Sequence, residues 1–233
     1  MKAAASGDPL ILEETKLRNE VTRLERLQAA HADEQLAMRQ GAERKISYAR
    51  ESGPKRVATI REMMAAVEGQ PSGKKDDFQA TLAGKPFTDI EAFTKELAFK
   101  FELARTGSSN RFSVNFRGQR FVFDNPYGYT VSAETDIGRM DSWGQNQEFS
   151  PSGFITRMQN FIERLPAMEK DTLANIEKSL VDAEAMKVQA AQPFKAAGDL
   201  EEARAKHTAV RRALMAKGPA VPEEQKPLVA KGI

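Results

Sequence analysis

The sequence predicts an α+β protein, mainly α, in which long antiparallel coiled-coil helices carry a small inserted β-α-β-β-β module. Three observations predict it. Apolar residues recur at steps of three and four in both flanks: Leu17, Val21 and Leu24 near the start, and Ile155, Met158, Ile162, Leu165, Leu173, Ile176, Leu180 and Ala183 near the end. That spacing places them on one side of a helix. The middle switches to alternation, as in Phe112-Ser113-Val114-Asn115-Phe116, the period of a half-buried strand. Most of the Phe and Tyr also lie in the middle. A helix over 154–190 would extend roughly 55 Å at the α-helical rise per residue. That is too long for a small domain to bury, so it requires a partner, and 15–50 supplies one.

Four segments are expected: an N-terminal coiled-coil arm at 1–70, the inserted module at 71–152, a C-terminal arm at 153–217 and a disordered tail at 218–233. Asp8-Pro9 starts the first helix, with Asp as N-cap and Pro at the first helical position. Its seam reads Leu17, Val21, Leu24, Gln28, His31, Gln35, Met38 and Ala42. Gly53-Pro54 breaks or reverses it. Val57, Ile60, Met64 and Val67 then restore helical spacing, and 69–75 (GQPSGKK) reads as a linker. In the module, 78–82 reads as a strand and Ala83-Gly84-Lys85 as its turn. Thr88 with Glu91 forms a capping box for a helix with Ile90, Phe93, Leu97 and Phe101 on one face, and 106–110 is a loop. Phe112 to Phe116, a turn at Arg117-Gly118-Gln119 and Arg120 to Asp124 make a hairpin. Tyr127, Tyr129, Val131 and Ala133 share one face of a third strand, while 136–152 shows no period. Pro166 bends the long helix, Gln192-Pro193-Phe194 ends it, and Asp199 caps a last helix with Leu200, Ala203, His207, Val210 and Leu214 on its seam.

Bulk composition excludes several classes. The formal net charge of +2 with 29% charged residues means any nucleic-acid role must come from local patches. Without cysteine there is no disulfide framework and no thiolate metal site. No apolar run is long enough to span a membrane, and the first residues are too short and weakly apolar for a secretory signal. A cytoplasmic protein without cofactor or metal is expected.

Motifs that invite a catalytic reading have plainer explanations. Asp124-Asn125-Pro126-Tyr127 is close to the Asp/Asn-Pro-Pro-Tyr motif of adenine methyltransferases, but the second Pro is missing and no glycine-rich loop precedes it. Asn, Pro and Gly128 are turn residues. The 69–75 segment is one residue short of a phosphate loop and carries Lys75 where a metal-binding Ser or Thr belongs. His31 and His207 both fall on seams and would form a buried polar pair if the helices meet there; the plainer reading is two unrelated helix-surface histidines. The carboxylates lie at salt-bridge spacing, as in Glu20 and Arg23.

Local charge points further. Between 39 and 61, Arg39, Arg44, Lys45, Arg50, Lys55, Arg56 and Arg61 stand against Glu43 and Glu51, net +5. Between 105 and 120, Arg105, Arg111, Arg117 and Arg120 stand alone. If the chain turns back at Gly53-Pro54, the first run forms a hairpin tip able to contact phosphates through counterion release. The stretch 124–148 holds Asp124, Glu134, Asp136, Asp141 and Glu148 against Arg139, net −4. There Asp136, Asp141, Trp143 and Glu148 are the candidate protein-binding residues, with Trp143 as anchor.

The pattern resembles the C-terminal region of very large plasmid and phage proteins that combine a Swi/Snf-type helicase with an adenine-specific DNA methyltransferase. The resemblance rests on 2–13 (KAAASGDPLILE), 20–35 (EVTRLERLQAAHADEQ), 78–97 (FQATLAGKPFTDIEAFTKEL), Phe116-Arg117-Gly118, 153–165 and Gln192-Pro193-Phe194. The region 39–61 is longer and more broken than the family's helix, and 125–152 is longer and more polar. The motor and methyltransferase are expected to be absent, which implies a freestanding, non-catalytic accessory module of a mobile element. The resemblance thus implies a counter-defence inhibitor, an anti-CRISPR or anti-restriction protein, contacting a host CRISPR effector or restriction enzyme. The alternative it leaves open is a DNA-binding accessory domain for duplex DNA. A coiled coil can close within one chain or between two, so a homodimer is among the expected partners.

Overall fold

The computed structural model describes residues 8–107, 111–144 and 146–217. The expected tail at 218–233 and part of the 106–110 loop lie outside the described residues. The elements confirm the coarse expectation of an α+β chain, mainly α, and add an antiparallel sheet of six strands.

The Asp8 carboxylate accepts the Leu10 N–H at 3.0 Å, and α1 runs Pro9–Ser47. The chain does not reverse at Gly53-Pro54. It stays helical through a π-helical turn, Tyr48–Ser52, into α2, Gly53–Val67. Pro54 has no N–H, and its ring would strike the carbonyl one turn earlier in a regular helix. The wider turn, in which the Gly53 N–H bonds the Tyr48 carbonyl, absorbs both defects. The expected hairpin tip therefore does not form.

After a 3₁₀ turn at Lys75–Asp77 come β1, Ala80–Leu82, and β2, Lys85–Phe87. Helix α3, Ile90–Arg105, is capped by Asp89 rather than Thr88: the Asp89 carboxylate accepts the Ala92 N–H at 2.8 Å. Then β3, Arg111–Phe116, β4, Gln119–Asp124, β5, Thr130–Thr135, and β6, Gly138–Gly144, form an antiparallel meander. The sheet order is β2-β1-β3-β4-β5-β6. Both Ala83-Gly84 and Arg117-Gly118 have positive φ at each residue, the geometry that lets a two-residue hairpin follow strand twist. Strand β6 lies within 136–152, where the sequence shows no period. Tyr127 and Tyr129, expected within a strand, lie before β5.

Ser150 caps α4, Pro151–Glu163, by accepting the Gly153 N–H. The expected bend falls at Arg164, and α5, Leu165–Ala190, starts beside Pro166, where the missing N–H costs nothing. The seam of α5 is shifted from the expected one. Leu165 and Ala183 are buried as expected, but Leu173 and Leu180 are exposed and Thr172 is buried in their stead. Small side chains let the opposing helix approach closely: a Cβ on Gly53 would stand 2.5 Å from Ile176 Cγ1. The last helix, α6, Ala197–Ala216, has Ala196 at its N-cap and Asp199 within its first turn, not at the cap.

The chain divides into two compact units. One comprises Met1–Ala42 and Glu184–Ile233. Its core is Leu24, Leu200 and Ala203, with Val21 and Ala196 against them. Arg204 pairs with Glu25 at 2.7 Å and His207 with Glu14 at 3.1 Å, so α6 runs antiparallel to the start of α1. His31 instead meets the Gln192 carbonyl at 3.2 Å, and the two histidines have separate partners.

The other unit is Glu43–Ala183. One face of its sheet is buried against α3 and α4 by Phe93, Leu97 and Phe101 from α3, Phe154 and Met158 from α4, and Val114, Phe121, Phe123 and Trp143 from the strands. Burying each such side chain contributes about 1.5–3 kcal/mol. A smaller cluster joins Ile60 and Met63 of α2 to Ile137 and Leu165. Lys45 pairs with Asp182 at 2.9 Å and Arg61 with Glu169 at 2.6 Å.

Candidate functional site

Alternation in β3, β4 and β5 sends every second side chain away from the core. Register then assembles these into rows. Arg120 lies beside Asn115, and Asn115 beside Thr81; Val122 lies between Ser113 and Glu134; Asp124 lies between Arg111 and Ser132. This second face of the sheet is open and polar, with Arg111, Asn115, Arg120, Thr130 and Glu134 exposed. It carries cations on β3 and β4 and carboxylates on β4 and β5.

Two recesses flank that division of charge. The first, about 340 Å³, is lined by Lys100, Arg111, Ser113 and Arg120 among others. The second, about 470 Å³, is lined by Asp124, Pro126, Tyr127, Tyr129, Thr130, Ser132, Glu134 and Arg139. Tyr127 and Tyr129 are 82% and 71% exposed. The turn that presents them is anchored. The buried Asn125 donates through Nδ2 to the Ala104 carbonyl at 2.9 Å, in the last turn of α3, and accepts the Thr130 N–H at 3.3 Å. Asn125 thus holds a turn in place, and the catalytic-looking Asn125-Pro126-Tyr127 has a structural explanation.

Of the expected phosphate-contacting residues, the structure brings only Arg111 and Arg120 to one recess, joined by Lys100. Arg39, Arg44 and Lys45 lie on α1, Arg50 in the π-helical turn, and Lys55, Arg56 and Arg61 on α2. Several are used internally. Lys45 and Arg61 are ion-paired, Arg56 donates to the Ile137 carbonyl at 2.8 Å, and Arg105 pairs with Glu102. The Lys45 ammonium, by hydrogen bonding, holds the Asp182 carboxyl below its ordinary range. Arg117 sits in the β3–β4 turn and lines another recess, with Gln79 and Asn115.

The expected protein-binding set is also dispersed. Trp143 is 5% exposed and packs against Phe101, Phe123, Phe149 and Phe154. It is a core residue, not an exposed anchor, because β6 pairing turns it to the covered side of the sheet. Asp141 is paired to Arg157 at 3.0 Å, and Asp136 and Glu148 are exposed. Sequence reasoning missed Tyr127 and Tyr129 as surface residues. The available signal was their place between Pro126 and Thr130 around Gly128, where an aromatic has no strand to pack against.

Comparison finds no match to a protein-family model, to a curated protein or to a solved structure. Among the described residues, no helix is long and apolar enough to cross a membrane.

Proposed function

We propose that this chain is a non-enzymatic binding protein of a mobile element that acts by protein contact through the open face of its sheet. The partner, on the family resemblance, is a nucleic-acid-targeting host defence complex in the cytoplasm: a CRISPR effector or a restriction enzyme. One observation carries the contact mode. The open face carries Arg111 opposite Asp124, Arg120 farther along β4 and Glu134 on β5, and adds two highly exposed tyrosines. Mixed charge with Tyr and Arg suits a protein surface, where such residues dominate binding energy; a phosphate backbone would be repelled by the carboxylates. The test is titration against purified CRISPR effector and restriction complexes, with DNA cleavage as readout. Dose-dependent inhibition is expected. The double variant Tyr127→Ala/Tyr129→Ala should weaken it at least about tenfold, within the range of interface anchors. Undiminished cleavage in all complexes would remove the reading.

The finer architecture belongs to the same proposal. Thr172, Ile176, Ser179 and Ala183 recur at heptad spacing on α5, which supports an antiparallel coiled coil. The exposed Leu173, Leu180 and Val181 are where a second copy would pack if the chain dimerises.

Duplex DNA binding is the second reading, favoured by the grouping of Lys100, Arg111 and Arg120 at one recess. It predicts binding that weakens steeply with salt and falls in Arg111→Glu/Arg120→Glu. A flat titration at low salt would exclude it.

A further inference from the structure

The recess beside the exposed tyrosines specifies more than a general contact. Tyr127 and Tyr129 are held on a turn that Asn125 fixes to α3 and to β5, so little ordering is required when a ligand arrives. Two carboxylates line the same recess. Glu134 is partly neutralised by Arg139 at 3.7 Å. Asp124 has no ion-pair partner among the described residues, and Arg111, although opposite it in register, lines the other recess. Aromatic faces beside a carboxylate attract a cation, through the ring quadrupole and through charge. The recess is large enough for an extended arginine or lysine side chain.

We propose that this recess binds the cationic side chain of an arginine or lysine on the partner protein. The proposal rests on the protein-contact reading and names what that contact recognises. Asp124 would accept the charged hydrogen bonds, and Tyr127 and Tyr129 would flank the cation. A stacked nucleobase is the competing occupant of exposed tyrosines, but its phosphates would face Asp124 and Glu134.

The experiment follows backbone amide shifts of the full chain by NMR during titration with Gly-Gly-Arg-Gly-Gly, blocked at both ends. Parallel titrations use the lysine peptide, a peptide with neutral citrulline in place of arginine, and oligothymidylate. Saturable shifts confined to 124–134 and 139 are expected with arginine and lysine. Citrulline should bind about tenfold more weakly, as should the arginine peptide to Asp124→Asn or Tyr127→Ala/Tyr129→Ala, in keeping with loss of charge-assisted and cation–π contacts. Equal binding of citrulline, shifts elsewhere, no saturation, or oligothymidylate saturating the same amides would each overturn the proposal. The two levels separate cleanly. If the peptides fail while inhibition of the host complex still depends on Arg111 and Arg120, only the cation site is lost. If inhibition is absent altogether, the contact reading itself is lost.

Discussion

Asn125 and Gln119 show how single buried polar groups fix the open face. The Gln119 side chain donates to the Met63 carbonyl at 2.7 Å and is 2% exposed, so it ties the start of β4 to α2. Gln119→Leu removes this buried hydrogen bond, the second that the helical Met63 carbonyl accepts, and should cost about 0.5–1.5 kcal/mol, read as a lower thermal midpoint. Asn125→Ala removes the side-chain bonds to the Ala104 carbonyl and the Thr130 N–H, should cost about 1–3 kcal/mol and should also loosen the tyrosine turn. Gly118 is a backbone necessity: at φ +75, an added Cβ would lie 2.1 Å from the Ala66 carbonyl oxygen. At the surface, Lys45 holds the Asp182 carboxyl below its ordinary value. A depressed carboxyl pKa contributes stability above the unfolded value, and that contribution is lost as pH falls through the folded one. Lys45→Met should therefore move the Asp182 titration upward, measured by carboxyl NMR. These roles were only partly legible in the sequence. Asn125 was readable as a turn residue because Pro126 and Gly128 follow it. Its bond to Ala104 was not, because that partner lies in α3.

The elements divide in the same way between local and distant causes. Helix α3 was legible because Phe93, Leu97 and Phe101 repeat the helical period and all become buried. Strands β3 and β4 were legible from alternation around Arg117-Gly118. Strand β6 was not: Gly138–Gly144 has one large buried residue, Trp143, and its place is set by pairing with β5. The Gly53-Pro54 pair reads locally as a break, yet packing keeps the chain helical, because Gly53 lies against Ile176. Gly53→Ala should force that contact apart and destabilise by about 1–3 kcal/mol, the usual cost of overpacking. Denaturant unfolding checks it, and adding Ile176→Ala should restore part of the loss. On α5 the expected Leu165 and Ala183 are buried, but Thr172 takes the place expected of Leu173 and Leu180 is exposed, because side-chain size alone does not decide which face a helix buries.

At the scale of the molecule, the two units have unequal cores. The unit Glu43–Ala183 buries an aromatic cluster between sheet and helices, whereas the other has Leu24, Leu200 and Ala203 at its centre. Local opening free energy follows buried apolar contact. Hydrogen exchange should therefore be slowest in β3, β4 and β5 and faster in α6. The candidate site lies wholly on the more heavily packed unit, which suits a rigid recognition surface. The open sheet face is the proposed surface. The most direct measurement is inhibition of a purified host defence complex by the wild-type chain and by Tyr127→Ala/Tyr129→Ala, with both chains shown to have the same thermal midpoint. Inhibition by the wild type and its loss in the variant is the expected result. Equal inhibition by the two chains would contradict it.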